Sequence, residues 1–204
     1  MRLSKRLLTI AGKVLQGSNI IDVGTDHGYV PIYLYETKVI NKAIAADVSY
    51  GSCEKARQNI IEHSLENYIL VVESDGLKGI DTKGFDTIVI SGMGGRLICG
   101  ILDDGIEKLK NIEYLVLQPQ TEIASVRKKL HSIGYKIIDE DILLDDGKYY
   151  NIIVGKKGKE VYDKDIDYLF GKRLLDRKDA VLKEFLEFEV LKLRGIIGRI
   201  KERG

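Results

Sequence analysis

The chain has 204 residues, 44% of them hydrophobic and 31% charged, with a formal net charge of +1, the balance of an ordinary globular protein and not of a globally basic nucleic-acid binder. No apolar run approaches the roughly 20 residues that span a bilayer, and the N-terminus lacks a signal-peptide core, so a cytoplasmic protein without a membrane or obligate protein partner is expected. Cys53 and Cys99 lie far apart with no CxxC or nearby histidine pattern, which speaks against a disulfide framework or a metal site.

Residues 4–15 predict an amphipathic helix, with Ser4 as N-cap and Leu7, Leu8, Ile10, Ala11, Val14 and Leu15 on one face. Arg2, Lys5 and Arg6 occupy the other side, either as a solvated face or as a basic patch beside a cofactor loop. The next stretch, SNIIDVGTDHGYVPIY at 18–33, predicts a strand, a tight turn and a helix opening near Tyr29. Gly24 and Gly28 allow close approach of backbone to a ligand, and the helix start presents free N–H groups. Asp22 and Asp26 would repel a pyrophosphate, but they accept hydrogen bonds from hydroxyls and attract an ammonium or a sulfonium. The loop therefore favours S-adenosylmethionine over NAD or ATP.

The apolar run at 43–48 ends in Asp47 and Val48, some twenty residues past the glycine turn, where an acid accepts the ribose hydroxyls of an adenosine cofactor. A helix over 49–64 follows, then a strand over 68–77 whose end, Asp75-Gly76, is either an acceptor for the adenine amino group or a plain Asp-Gly turn. A second informative junction runs from the strand at 85–91 into Gly92-Met93-Gly94-Gly95 and a helix from about Arg96 to 109. Three glycines in four residues imply backbone pressed against something, with the methionine part of the cofactor or an incoming base as occupant.

The strand at 114–123 exits through Gln118-Pro119-Gln120. Its amides suit the edge of a nucleobase; a Pro-broken strand end with Thr121 capping a helix over 122–133 accounts for the rest. Two β-rich runs around Asp145-Asp146-Gly147-Lys148 predict a hairpin closing an otherwise parallel sheet with an antiparallel edge. Tyr149 and Tyr150 in that hairpin are packing residues or base-stacking platforms. Beyond about residue 160 strand patterns stop, and Leu182, Leu186, Val190, Leu193, Ile197 and Ile200 recur at coiled-coil spacing. Arg173 and Arg177 fall in this basic but acid-interleaved region, as a solvated surface or as part of an RNA-gripping arm.

The combination of LSKRL at 3–7, DVGTDHGYVP at 22–31, SGMGG at 91–95, LQPQ at 117–120 and ILLDDGKYYNIIV at 142–154 resembles the TrmK family, bacterial enzymes that methylate N1 of adenosine 22 in tRNA. LFGKRLLDRKDAVLKEFL at 169–186 is similar to the entry of that family's C-terminal coiled coil. The resemblance implies a Rossmann-like class I methyltransferase domain over 1–160, S-adenosylmethionine as cofactor, tRNA as partner, and a helical, coiled-coil-like domain over 161–204, shortened relative to the family. It also implies cofactor contacts from Asp22, Gly24, Gly28, Tyr29, Asp47, Val48, Asp75, Gly76, Gly92, Met93, Gly94, Gly95 and Gln118. RNA contacts are expected from Arg2, Lys5, Arg6, Arg173 and Arg177. Asp26 stands at the middle glycine of a DxGxGxG pattern, so the loop is expected to face the reacting base; Asp26, His27 and Gln120 are the candidates at the chemistry. The family usually has asparagine where Gln120 stands. The alternatives are a methyltransferase of another nucleobase or a small molecule, and a non-catalytic nucleotide- or RNA-binding module.

Overall fold

The computed structural model describes residues 3–201; Arg2, one of the expected RNA contacts, lies outside them. Seven strands form one sheet: β1 (Ser18–Val23), β2 (Ile40–Asp47), β3 (Ile69–Glu73), β4 (Thr87–Met93), β5 (Tyr114–Pro119), β6 (Tyr135–Asp145) and β7 (Lys148–Lys157). Their order is β3-β2-β1-β4-β5-β7-β6, with β1 to β5 parallel and the β6–β7 hairpin antiparallel at one edge. The strands carry apolar residues on both faces because helices cover both. Ile21, Ile44, Ile88 and Leu117 join one core, while Ile20, Ala43, Val89 and Val116 join the other, as the period of two requires.

Helices α1 (Lys5–Ala11), α2 (Tyr29–Glu36) and α3 (Tyr50–Glu62) contribute to the second core through Ile10, Ile32 and Ile60. Helices α4 (Gly95–Asp104) and α5 (Ile123–Ser132) contribute to the first through Ile98, Leu102, Val126 and Leu130. Ser4 caps α1 as expected, accepting from the Leu7 N–H at 3.3 Å. The helix is shorter than its apolar spacing predicts, ending at Gly12. The expected helix at 96–109 divides at Gly105 into α4 and a 3-10 turn over Lys108–Asn111. Thr121 does not cap α5: the residue before that helix is Glu122, in the left-handed region at φ 51°.

Past residue 160 come α6 (Asp165–Phe170), α7 (Lys172–Asp176) and α8 (Ala180–Lys201). Tyr162 and Tyr168 share the first core with Leu130 and Tyr135, so this segment is fastened to the sheet layer. At the joint, Arg127 and Glu140 form an ion pair of 2.6 Å with both side chains fully buried. Asp179 starts α8 by accepting the Val181 and Leu182 N–H groups at 3.0 and 3.1 Å. The stripe read as a coiled coil is a single helix here: Leu182 is buried against Ile142 and Leu174, whereas Val190, Leu193, Ile197 and Ile200 are exposed. No described helix is long and apolar enough to cross a membrane.

Candidate active site

The strand order reverses between β1 and β4, and in open α/β sheets that switch point opens a crevice at the carboxyl ends of the strands. A cleft of about 390 Å³ lies there, lined by Asp22, Gly24, Asp26, His27 and Tyr29 of the β1–α2 segment and by Arg6, Gly92 and Gln120. Each wall has a local cause.

The β1–α2 loop is tied to β2. The Gly24 and Thr25 N–H groups both donate to the Ala46 carbonyl, at 2.8 and 3.0 Å. Asp22, 3% exposed at the end of β1, accepts from the Thr25 hydroxyl at 2.7 Å. Burial pushes the Asp22 carboxyl up to about 6; the Thr25 hydroxyl opposes the rise and the Asp47 charge adds to it. Asp26 has φ 52°, and its N–H donates to one Asp47 oxygen at 3.1 Å. The other Asp47 oxygen accepts from the Ser49 N–H at 2.9 Å, so the carboxylate is fixed at the end of β2. The Asp26 side chain is 66% exposed, 3.5 Å from His27 Nε2. The His27 ring stacks on Tyr29 at 5.1 Å between centroids.

The opposite wall rests on Gln118, which is fully buried. Its carboxamide oxygen accepts from the Gly92 N–H at 3.1 Å and from Arg6 Nη1 at 2.9 Å. Its amide nitrogen donates to the Pro119 carbonyl at 3.1 Å. Gln118 therefore shapes the wall from behind. Gln120 is exposed at the rim, held by its N–H to the Met93 carbonyl at 2.8 Å.

The glycines of the second junction divide by role. A Cβ on Gly95 would lie 2.4 Å from the Thr121 carbonyl oxygen, so the protein's own α4–α5 contact requires glycine there, whereas one on Gly94 would lie 3.2 Å from the Thr121 hydroxyl, a tight approach to a side chain that can shift. A Cβ on Gly24 would meet Met93 Cε, one on Gly28 would meet Ala56, and one on Gly76 would meet Ile101. Gly92 borders the cleft itself. Asp75 stands outside this cleft, paired with Lys78 at 2.7 Å, and Val48 is 68% exposed beyond the end of β2.

Of the expected RNA contacts, Lys5 donates to the Leu144 carbonyl at 3.0 Å. Arg173 binds the Ile137 carbonyl at 2.8 Å and Glu160 at 2.5 Å. Arg177 pairs with Asp141 and Asp179 at 3.0 and 2.9 Å. Both arginines therefore fasten the C-terminal helices to β6 and the segment after β7. Arg6 lines the cleft beside the β1–α2 loop. No local sequence signal marks Thr25 as the partner of Asp22 or Asp145 as the anchor of the Arg6 N–H, since each contact depends on how a turn or a hairpin folds back. Among the described residues no cluster of His, Cys, Asp and Glu could hold a metal ion. Both cysteines are free; burial raises the pKa of each thiol.

The model of the family described as "TrmK: tRNA (adenine(22)-N(1))-methyltransferase" matches residues 20–204. The Bacillus subtilis (strain 168) protein named tRNA (adenine(22)-N(1))-methyltransferase is 36% identical over 190 residues, spanning 89% of this chain and 78% of that protein. The Streptococcus pneumoniae Sp1610 structure, solved in complex with S-adenosyl-L-methionine, superposes with a TM-score of 0.91 at 37% identity, covering 96% of this chain and 91% of the other. The structure of M. capricolum TrmK in complex with S-adenosyl-homocysteine has a TM-score of 0.87 at 27% identity, covering 97% of this chain and 88% of that one. This chain belongs to the TrmK family of tRNA (adenine(22)-N(1))-methyltransferases.

Proposed function

We infer that this chain is an S-adenosylmethionine-dependent enzyme that methylates N1 of adenosine 22 in tRNA, using the cleft between β1 and β4. The observation that carries the site assignment is the Asp47 carboxylate, oriented at the end of β2 by the Asp26 and Ser49 N–H groups beside a cleft that also presents Asp22. This set of acceptors fits the cofactor. A fixed carboxylate accepts two ribose hydroxyls, and the carboxylates of Asp22 and Asp26 favour a cationic ligand over a pyrophosphate.

When bound, S-adenosylmethionine supplies a methyl group on an electrophilic sulfonium. Neutral adenine N1 already has an in-plane lone pair, so the residues need not remove a proton before attack. Their work is alignment, together with stabilisation of the positive charge that develops on the base. Asp26 is the catalytic residue in this reading: its exposed carboxylate at the cleft accepts from the N6 amino group and offsets the new charge. The stacked His27 and Tyr29 rings offer a face to an unpaired base, which must leave its helix to expose N1. The Gln120 amide at the opposite rim meets the base edge. Asp75 remains an adenine acceptor on this proposal only with its Lys78 pairing exchanged.

Residues 161–204 act as a second, helical unit that guides tRNA toward the cleft. The later half of α8 supports this role, with Lys192, Arg194 and Arg199 following the acidic run Glu184, Glu187 and Glu189. The α8 stripe pairs in coiled-coil fashion on this reading, and the substrate places the enzyme in the cytoplasm. Methyl transfer from labelled cofactor to a tRNA transcript, followed by mass mapping of the product, tests the assignment. Label at N1 of adenosine 22, lost when guanosine stands there, is the expected result; equal labelling of both transcripts would point to another base.

A further inference from the structure

Helix α8 has 22 residues and is about 33 Å long, and its first turns rest on the sheet domain. Leu182 is buried against Ile142 and Leu174, whereas Val190, Leu193, Ile196, Ile197 and Ile200 are exposed. A groove of about 660 Å³ follows the same stripe, walled by Leu175 of α7 and by Leu186, Val190 and Leu191, with Glu187 and Arg194 at its edge. A helix with such a stripe needs a partner to bury it. Gly195 and Gly198 lower the helix propensity of the exposed half, so packing must hold it.

Charge and spacing along α8 indicate the occupant. Lys183, Glu184, Glu187 and Glu189 give the first half a negative balance, and Lys192, Arg194 and Arg199 make the second half positive. The stripe is also self-complementary. When two α8 helices run antiparallel about a two-fold axis between residues 191 and 192, Val190 of each lies opposite Leu193 of the other, and Leu186 lies opposite Ile197. Glu187 and Arg194 stand one heptad apart on one edge of the stripe, so the same axis sets Glu187 of each copy beside Arg194 of the other, twice. Within one chain Glu187 reaches Lys183 at 3.8 Å, a loose pair between exposed side chains. A parallel pair would stack acidic half on acidic half and crowd two sheet domains at one end, since Leu182 fixes the start of α8 to the domain. We propose that the exposed face of α8 docks a second copy of this chain as an antiparallel two-fold pair. The far end of each helix, with Ile197 and Ile200, then fills the groove beside Leu175 and Leu182 of the other copy. This pairing uses Arg194, leaves Lys192 and Arg199 on the outer face, and is independent of the reaction assigned to the cleft.

Sedimentation equilibrium of the full chain, up to about 100 µM, tests this interface. The expected mass is twice 23.0 kDa at high concentration, falling toward 23.0 kDa on dilution. Glu187→Arg should raise the dissociation constant of the dimer by at least about ten-fold, because two symmetry-related pairs become repulsive. Arg194→Glu should do the same. The two substitutions together should return the constant to within about three-fold of the wild type, a rescue that only the antiparallel register provides. Val190→Asp puts a charge at the centre of the stripe and should leave a monomer whose sheet domain melts as the wild type does. A wild-type chain that stays at 23.0 kDa up to about 100 µM overturns the proposal whatever the variants do. So does a Val190→Asp chain that dimerises like the wild type, which would place the interface elsewhere. Failure of the double variant to recover, with normal melting, overturns the antiparallel pairing.

Discussion

The main-chain N–H of Asp26 donates to the Asp47 carboxylate at 3.1 Å. Because the same carboxylate also accepts from Ser49, the N-cap residue of α3, one side chain links the end of β2, the β1–α2 loop and the next helix start. Asp47→Ala therefore removes the proposed ribose acceptor and the anchor of a positive-φ turn together. The dissociation constant for S-adenosylhomocysteine should rise by at least about thirty-fold, equivalent to ~2 kcal/mol for a charged hydrogen bond. Calorimetry showing an unchanged constant would end the ribose assignment.

Asp26 presents its backbone to Asp47 and its exposed side chain to the cleft, so the two roles separate by substitution. Asp26→Asn keeps a residue that tolerates the left-handed backbone and removes the charge. Cofactor affinity should stay within about two-fold while turnover on tRNA drops by about a hundred-fold or more, the scale of a lost electrostatic stabiliser. If binding and turnover fall together, Asp26 belongs to the cofactor's contacts.

Asp22 should make stability and cofactor affinity respond to pH in opposite directions. Burial raises its folded-state value to about 6 from an ordinary 3.8. Between about pH 4 and 6 the folded chain holds a proton that the unfolded chain has lost, so stability declines as pH rises through this window. The contribution is of order 3 kcal/mol. Affinity for the cationic cofactor of the proposed function should increase over the same rise, as Asp22 becomes ionised. Asn in place of Asp22 should flatten the stability slope in urea titrations; a slope identical to that of the wild type would show that Asp22 does not titrate there.

The Arg127–Glu140 pair bears on folding alone. Arg127 also donates to the Tyr168 and Leu169 carbonyls at 2.9 and 3.1 Å, and Glu140 accepts from the Arg173 N–H at 3.1 Å. Arg127→Met leaves a buried carboxylate without its cation and should cost about 3–5 kcal/mol in denaturant unfolding. The double variant Arg127→Met with Glu140→Leu should recover part of that loss, since it removes the stranded charge. No recovery would mean that the carbonyl contacts to α6 matter more than the charges.

The alternation of apolar runs with helical spacing in this chain was enough to read the parallel sheet, its antiparallel edge hairpin and the long last helix, because period and turn chemistry act within a few residues. The acids at the ends of β1 and β2 were legible for the same reason, since strand ends and glycine turns put them at the crevice. Several roles depended on contacts between distant segments. Gly95 is glycine because α4 starts against the Thr121 and Glu122 backbone, a close approach set by the packing of two helices. Gln118 reads as a site amide from its neighbours, yet the sheet buries it and turns it toward Gly92 and Arg6. Arg6 reads from the sequence as part of a solvated helix face or of a basic patch beside the cofactor loop, with nothing local to choose between them. Only the docking of α1 beside the hairpin carries it into the cleft, where Asp145 holds its backbone and Tyr150 lies beneath its charge. The sequence by itself determined most of the strands and helices and placed Asp22 and Asp26 at the β1 turn, but it could not separate them from Asp75, which pairs with Lys78 outside the cleft. The tertiary structure decided which side chains share it, because hydrogen bonds across 112 or 139 residues of chain have no local periodicity to announce them.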